Sequence, residues 1–166
     1  EQGEDPGEYT VTPSGAAGAN YTVNFVTSTF AITPAALTVT ANSGLSKTYG
    51  DNDPSLTYTI TGFVNGDTES DLDVPVSIAR EQGEDVGEYT VTPSGASDAN
   101  YTVNFVTSTF AITPATLTIV GLTGDDKEYD GTQEATVSGT PILTGVRTGD
   151  QVSLVDNTSF AFAQSN

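Results

Sequence analysis

The first 40 residues of this chain return almost unchanged 80 positions later. Residues 1–40 read EQGEDPGEYTVTPSGAAGANYTVNFVTSTFAITPAALTVT, and residues 81–120 differ from them only at Pro6/Val86, Ala17/Ser97, Gly18/Asp98, Ala36/Thr116, Val39/Ile119 and Thr40/Val120. Near-identity at a fixed spacing marks a tandem array in which each unit is one small module and length comes from copying. The spacing divides the chain into residues 1–36, the last part of a preceding unit; residues 37–116, a complete unit; and residues 117–166, the first part of a third. On this reading the chain is a window on a longer array.

The third unit is a diverged copy. Gly44, Lys47 and Tyr49 return after 80 residues as Gly124, Lys127 and Tyr129, whereas Thr61-Gly62 and Gly66-Asp67 return after 83 as Thr144-Gly145 and Gly149-Asp150. A three-residue insertion in a loop accounts for the shift. The unit runs on to Phe160 and Phe162.

Apolar residues alternate with Thr at a period of two, the signature of strands with one face buried. Leu37, Val39 and Ala41 alternate with Thr38 and Thr40, and Leu56, Tyr58 and Ile60 with Thr57, Thr59 and Thr61. Tyr89 and Val91, and then Tyr101, Val103 and Phe105, continue the pattern. These parities place Tyr58, Tyr89, Tyr101 and Phe105 on core faces. A change of parity between Phe105 and Phe110 predicts a hairpin loop or bulge at Val106–Thr109. Gly, Asn and Asp clusters predict turns at Asn42-Ser43-Gly44, Gly50–Pro54, Asn65-Gly66-Asp67 and Pro93-Ser94-Gly95. Thr68–Leu72 predicts one helical turn, with Thr68 as its N-cap and Asp71 three positions on. The complete unit therefore reads as about six strands with at most one short helix, an all-β module. Successive modules join through Ile32-Thr33-Pro34-Ala35 and Ile112-Thr113-Pro114-Ala115. A Pro-stiffened joint this short predicts small modules set end to end in an elongated rod rather than loose beads.

Composition narrows the function. Four Lys and Arg stand against 22 Asp and Glu, a net charge of −18. A chain so poor in cations offers no surface to nucleic acid phosphates or to anionic lipid. Cys and His are absent, which removes thiol nucleophiles, disulfides, the usual zinc sites and Ser–His catalysis. No apolar run approaches the roughly 20 residues of a membrane-spanning helix. Repetition also spreads a surface, whereas catalysis assembles one cleft from distant parts. The expectation is a protein that is not an enzyme.

KTYGDNDPSLTYTITGFVNGDT, followed by GEYTVTPSG, NYTVNFV and AITPATLTI, resembles the MBG-type (YGX) repeats of large bacterial surface adhesins. KEYDGTQEATVSGTPILTGVRTGDQVSL is similar to the YDG-type repeats that accompany them. The resemblance covers nearly the whole chain. It implies β-grasp-like or immunoglobulin-like modules in a secreted or cell-surface bacterial fibre, and it brings no catalytic residues with it.

Two kinds of site are candidates. Asp51, Asp53, Asp67 and Asp71 lie in acidic loops of the kind that hold Ca²⁺ through roughly six to eight oxygens. They lack the spacing of a known Ca²⁺ loop, and a solvated acidic surface is the competing reading. Tyr49, beside a turn, is the candidate aromatic platform for a ligand. Lys47 and Lys127 recur with their Tyr neighbours as candidate ion-pair members. The expected role is a structural stalk or spacer that gives length and stiffness to a surface adhesin or extracellular fibre. The alternative is a glycan- or host-protein-binding module that acts weakly through avidity. Neighbouring repeats of the same chain are the expected partners, together with strand exchange between copies through the incomplete end modules.

Overall fold

The computed structural model describes residues 5–155 and 160–161; Phe162 lies outside the described residues. The fold is all-β, and its contacts divide it into two compact units. The first comprises Glu1–Lys47 and Asn52–Ile112, and the second Thr48–Asp51 and Thr113–Asn166.

The complete repeat has seven strands in two sheets. One sheet has the order β5-β3-β8, from β3 (Ala35–Ala41), β5 (Tyr58–Thr61) and β8 (Tyr101–Val106). The other has the order β4-β9-β7-β6, from β4 (Leu45–Thr48), β6 (Val74–Arg80), β7 (Gly87–Ser97) and β9 (Ser108–Thr113). About six were expected, and neither short β4 nor β6 is among the strands that alternation marked. β3 pairs antiparallel with β5 and parallel with β8, from Ala35↔Tyr101 to Thr40↔Val106. β7 pairs antiparallel with both β6 and β9.

The period-two reading of β3 holds residue by residue. Leu37, Val39 and Ala41 are buried, and Thr38 and Thr40 alternate with them at intermediate exposure. β3 packs against β7, and Val91 and Pro93 of β7 and Phe110 and Ile112 of β9, which pairs with β7, are buried with these residues as the core. Full burial of side chains of this size contributes about 1.5–3 kcal/mol each. Tyr101 is buried as its parity predicts, with its ring edge-on to Phe63. Tyr58 and Tyr89 are only half-buried, and Phe105 is exposed although it pairs with fully buried Val39.

Two turn expectations are corrected. Val106–Thr109 is neither hairpin nor bulge: the chain leaves β8 in one sheet and begins β9 in the other after the single residue Thr107, so parity changes because the sheet changes. Pro93-Ser94-Gly95 is not a turn but the middle of the 11-residue strand β7, held by β6 in the pairs Ile78↔Pro93 and Val76↔Gly95. Gly95 does take a left-handed φ of 78° there, and a Cβ would lie 2.5 Å from the Pro75 carbonyl oxygen. The local signal was real, and cross-strand pairing overrides it. The turn at Asn65-Gly66 forms as expected, both residues with positive φ, closed by Asp67 N–H donating to Val64 O at 3.0 Å. The helical turn at 69–71 is a 3₁₀ turn capped by Thr68.

The earlier copy keeps only part of this architecture. β1 (Gly7–Val11) pairs with β2 (Ser28–Ile32) from Gly7↔Ile32 to Val11↔Ser28, the register in which β7 meets β9 from Gly87↔Ile112 to Val91↔Ser108. Tyr9 OH donates to Asp5 O just as Tyr89 OH donates to Asp85 O. Residues 12–27 form no strand, although the near-identical 92–107 supply the end of β7 and all of β8.

In the second unit, β10 (Thr118–Gly124) pairs antiparallel with β12 (Val137–Thr144). Thr118↔Thr144 and Thr38↔Thr61 are the same pair at offsets of 80 and 83. The extra residues lengthen β12 to eight against four in β5 and accompany a bulge at Gly121, rather than entering a loop alone. Two-residue β11 (Glu134–Ala135) pairs with β13 (Phe160–Ala161).

Candidate functional site

The densest polar site in the first unit grows out of β4. Alternation with Leu45 turns Lys47 inward, and its side chain is only 4 % exposed. An ammonium so placed needs anionic partners, because burying an unpaired charge costs far more than any one contact returns. Its Nζ donates to Glu84 and lies 2.7 Å from Asp53 Oδ1. Arg80, at the end of β6, grips the same two carboxylates. Its Nε lies 2.5 Å from Asp53 Oδ2, and its Nη2 lies 3.1 Å from Asp53 Oδ1 and 2.6 Å from Glu84 Oε1. The fork-shaped guanidinium also donates through Nη1 to the carbonyls of Glu81 and Gly83. It lies 5.2 Å from the Tyr89 ring centre and 5.3 Å from that of Phe110. Four charges thus join β4, β6 and the two loops that carry Asp53 and Glu84.

This arrangement shifts its own acidities. Arg80, and then Lys47, hold the Asp53 carboxyl down to about 2. Lys47 and Arg80 likewise lower Glu84, while Asp53 and Glu84 raise Lys47. All members stay ionised near neutrality, so none is poised to exchange a proton. The cluster acts as a clamp.

The sequence candidates fall into separate places. Asp53 belongs to the clamp. Asp67 accepts the Tyr101 hydroxyl at 2.7 Å. Asp71 caps the 3₁₀ turn, accepting Thr68 N–H at 2.7 Å and the Thr68 hydroxyl at 2.9 Å, and the Thr68 N–H holds its carboxyl below the usual carboxylate range. Asp51, in the second unit, meets Arg147 Nη2 at 2.7 Å. Tyr49, half-buried, donates its hydroxyl to Asp150 at 2.9 Å and accepts Arg147 Nε at its carbonyl. Among the described residues, no three Asp, Glu, His or Cys side chains gather as a metal-holding group. Lys127 bonds Asp130 and the Thr132 carbonyl and hydroxyl. With Thr132 N–H, it lowers Asp130 to about 2.

All four cations of the chain are therefore held in intramolecular ion pairs. Sequence reading singled out Lys47 but missed Arg80 and Glu84. The available signal was the parity of β4, which points a lysine inward and so demands carboxylates from elsewhere in the unit.

A hollow of about 460 Å³ also lies in the first unit, lined by residues that include Asp67, Asn100 and Tyr101. No helix among the described residues is long and apolar enough to cross a membrane. Residues 37–111 match the family model of the MBG domain (YGX type), and residues 113–166 match that of the YDG domain. Both are repeat domains of surface proteins. No curated protein and no solved structure shows significant similarity to the chain.

Proposed function

We propose that this chain, an MBG domain followed by a YDG domain, is a load-bearing spacer of a bacterial surface adhesin or extracellular fibre, held outside the cell. Its modules follow one another through connectors as short as Thr33-Pro34, and the fibre is elongated by copying the repeat. The carrying observation is the parallel pairing of β3 with β8 over six residue pairs, Ala35↔Tyr101 to Thr40↔Val106. Tension reaches the complete repeat at the start of β3 and at the end of β9, which follows β8 after one residue. In a parallel pair the start of β3 and the end of β8, through which β9 draws on the ladder, lie at opposite ends of it. Pulling therefore shears all of its hydrogen bonds together instead of peeling them singly. The clamp of Lys47, Asp53, Arg80 and Glu84 ties β4 and β6 across the second sheet, without a disulfide. No catalytic step belongs to this reading.

Single-molecule stretching of the chain by its ends tests the proposal, because forced unfolding reads the unfolding rate directly. The expected record is one high-force event for the complete repeat, weakened when Asn104→Pro interrupts β8. Extension at low force with no resolved event would overturn the load-bearing role.

A second reading is weak binding of glycans or host proteins multiplied by repetition. It draws on Tyr129, which is 97 % exposed and presents an aromatic face. Glycan arrays probed with chains of increasing repeat number separate the two readings. Saturable binding that rises with repeat number supports the second, and none removes it.

A further inference from the structure

Asparagine is chemically labile where a small residue follows it and leaves the next backbone nitrogen uncovered. The complete repeat holds two such places, Asn42-Ser43 and Asn65-Gly66, and the structure treats them differently. Asn42 is held at both ends of its amide: Nδ2 donates to the Thr57 hydroxyl at 3.0 Å, and Oδ1 accepts the Thr59 hydroxyl at 2.9 Å. Asn65 stands exposed in the turn after β5, with a left-handed φ of 57°. Among the described residues neither its side-chain amide nor the Gly66 N–H has a hydrogen-bond partner. Open space lies where a Gly66 Cβ would stand. The turn itself does not demand Asn. In the second unit Thr148-Gly149 closes its counterpart, with Asp150 N–H donating to Arg147 O at 3.1 Å.

We propose that Asn65 is a self-modification site, at which the Gly66 backbone nitrogen displaces the side-chain amide as ammonia. The Gly66 nitrogen gives its proton to hydroxide and attacks Asn65 Cγ. The new C–N bond forms, the Cγ–Nδ2 bond breaks, and ammonia leaves with a proton from water. The succinimide ring that remains is opened by a second water. Attack at Cγ gives aspartate, and attack at the main-chain carbonyl carbon gives isoaspartate, with the chain now running through Cγ. The net change consumes one water and releases one ammonia, without oxidation. Glycine serves twice, since it shields its nitrogen least and its free rotation lets that nitrogen swing towards Cγ. The two products differ in consequence. Tyr101, at the start of β8, pins this turn: its hydroxyl accepts Val64 N–H at 3.1 Å and donates to Asp67 Oδ2 at 2.7 Å. Isoaspartate inserts a methylene into the main chain between those two anchor points, whereas aspartate leaves the chain length unchanged. Isoaspartate therefore loosens the hold on buried Tyr101 and on the first pair of the ladder, Ala35↔Tyr101.

The test holds the full chain in mildly alkaline buffer and follows its peptides by mass and by isoaspartyl methyltransferase labelling. Conversion at Asn65 should run several-fold faster than at Asn42, and the melting midpoint should fall as the isoaspartate fraction grows. Asn65→Asp should melt like the parent. Asn65→Gly, which suits the left-handed φ and has no amide to lose, should age without that fall. Conversion at Asn65 no faster than at Asn42 would overturn the proposal, as would none at all while a short peptide of the same turn sequence converts fully. An unchanged midpoint in chains that carry isoaspartate at this position would overturn the consequence drawn for Tyr101.

Discussion

Phe30 and Phe110 occupy the same place in the repeated sequence, so truncating each in turn measures what the surrounding strands contribute. Phe110 is fully buried in the complete repeat, among β3, β7 and the Arg80 guanidinium. Removing a core Phe costs about 3–5 kcal/mol, from lost transfer energy and from the cavity left behind. In a repeat of this size the lower figure lowers the melting midpoint by roughly 12 °C, at about 4 °C per kcal/mol. Phe30 is 51 % exposed and rests on Tyr9 at 5.5 Å between ring centres. Phe30→Ala should cost less than about 1 kcal/mol. The assay is urea and thermal unfolding of the full chain, followed by tyrosine circular dichroism at concentrations dilute enough to keep copies apart. Equal losses at the two positions would refute the reasoning, since burial would then not govern the difference. So would a Phe110→Ala chain that melts like the parent.

The remaining expectations concern backbone, acid and metal. Gly62 has φ 109°, and a Cβ there would lie 2.3 Å from the Ala36 carbonyl oxygen. Gly62→Ala should therefore destabilise the complete repeat by more than about 1 kcal/mol in urea unfolding, and an unchanged midpoint would contradict that. Asp53 is held at about 2, below its ordinary value near 3.8, so its contribution is complete above that ordinary value and is lost as pH falls through about 2. Melting midpoints should drop between about pH 4 and pH 2, and Asp53→Asn should flatten that drop; an equal drop in the variant would remove Asp53 as its source. Calcium or a chelator should leave melting midpoint and hydrodynamic size unchanged, because Asp51, Asp53, Asp67 and Asp71 are each engaged by a different protein group. A calcium-dependent rise in midpoint would count against this.

Much of the fold was legible because the chain states it twice. Alternation identified the core face of β3 from Leu37 to Ala41, and the offsets of 80 and 83 marked the third unit as a diverged copy. Long-range pairing was not legible. Pro93-Ser94-Gly95 carries every local mark of a turn, yet pairing with β6 keeps it in the strand despite the left-handed φ of Gly95. The parity change after Phe105 was seen, but whether it meant a turn back or a passage to another sheet depends on β3 and β7, remote in sequence. At the clamp, Lys47 was visible as a recurring residue. Arg80 was not, because nothing local tells an arginine at a strand end that two carboxylates will converge on it.

The β3–β8 ladder also carries a kinetic consequence. Its first pair joins residues 66 positions apart, Ala35 and Tyr101, and ladders closed over such distances form slowly. During synthesis the repeat cannot close until its last quarter exists, so most of the module waits as an open chain. On the proposed extracellular role, that interval would keep the polypeptide threadable through an export channel. Stopped-flow refolding should accordingly show closure of β8 on β3 as the slow step, with Val103→Ala slowing folding more than it speeds unfolding.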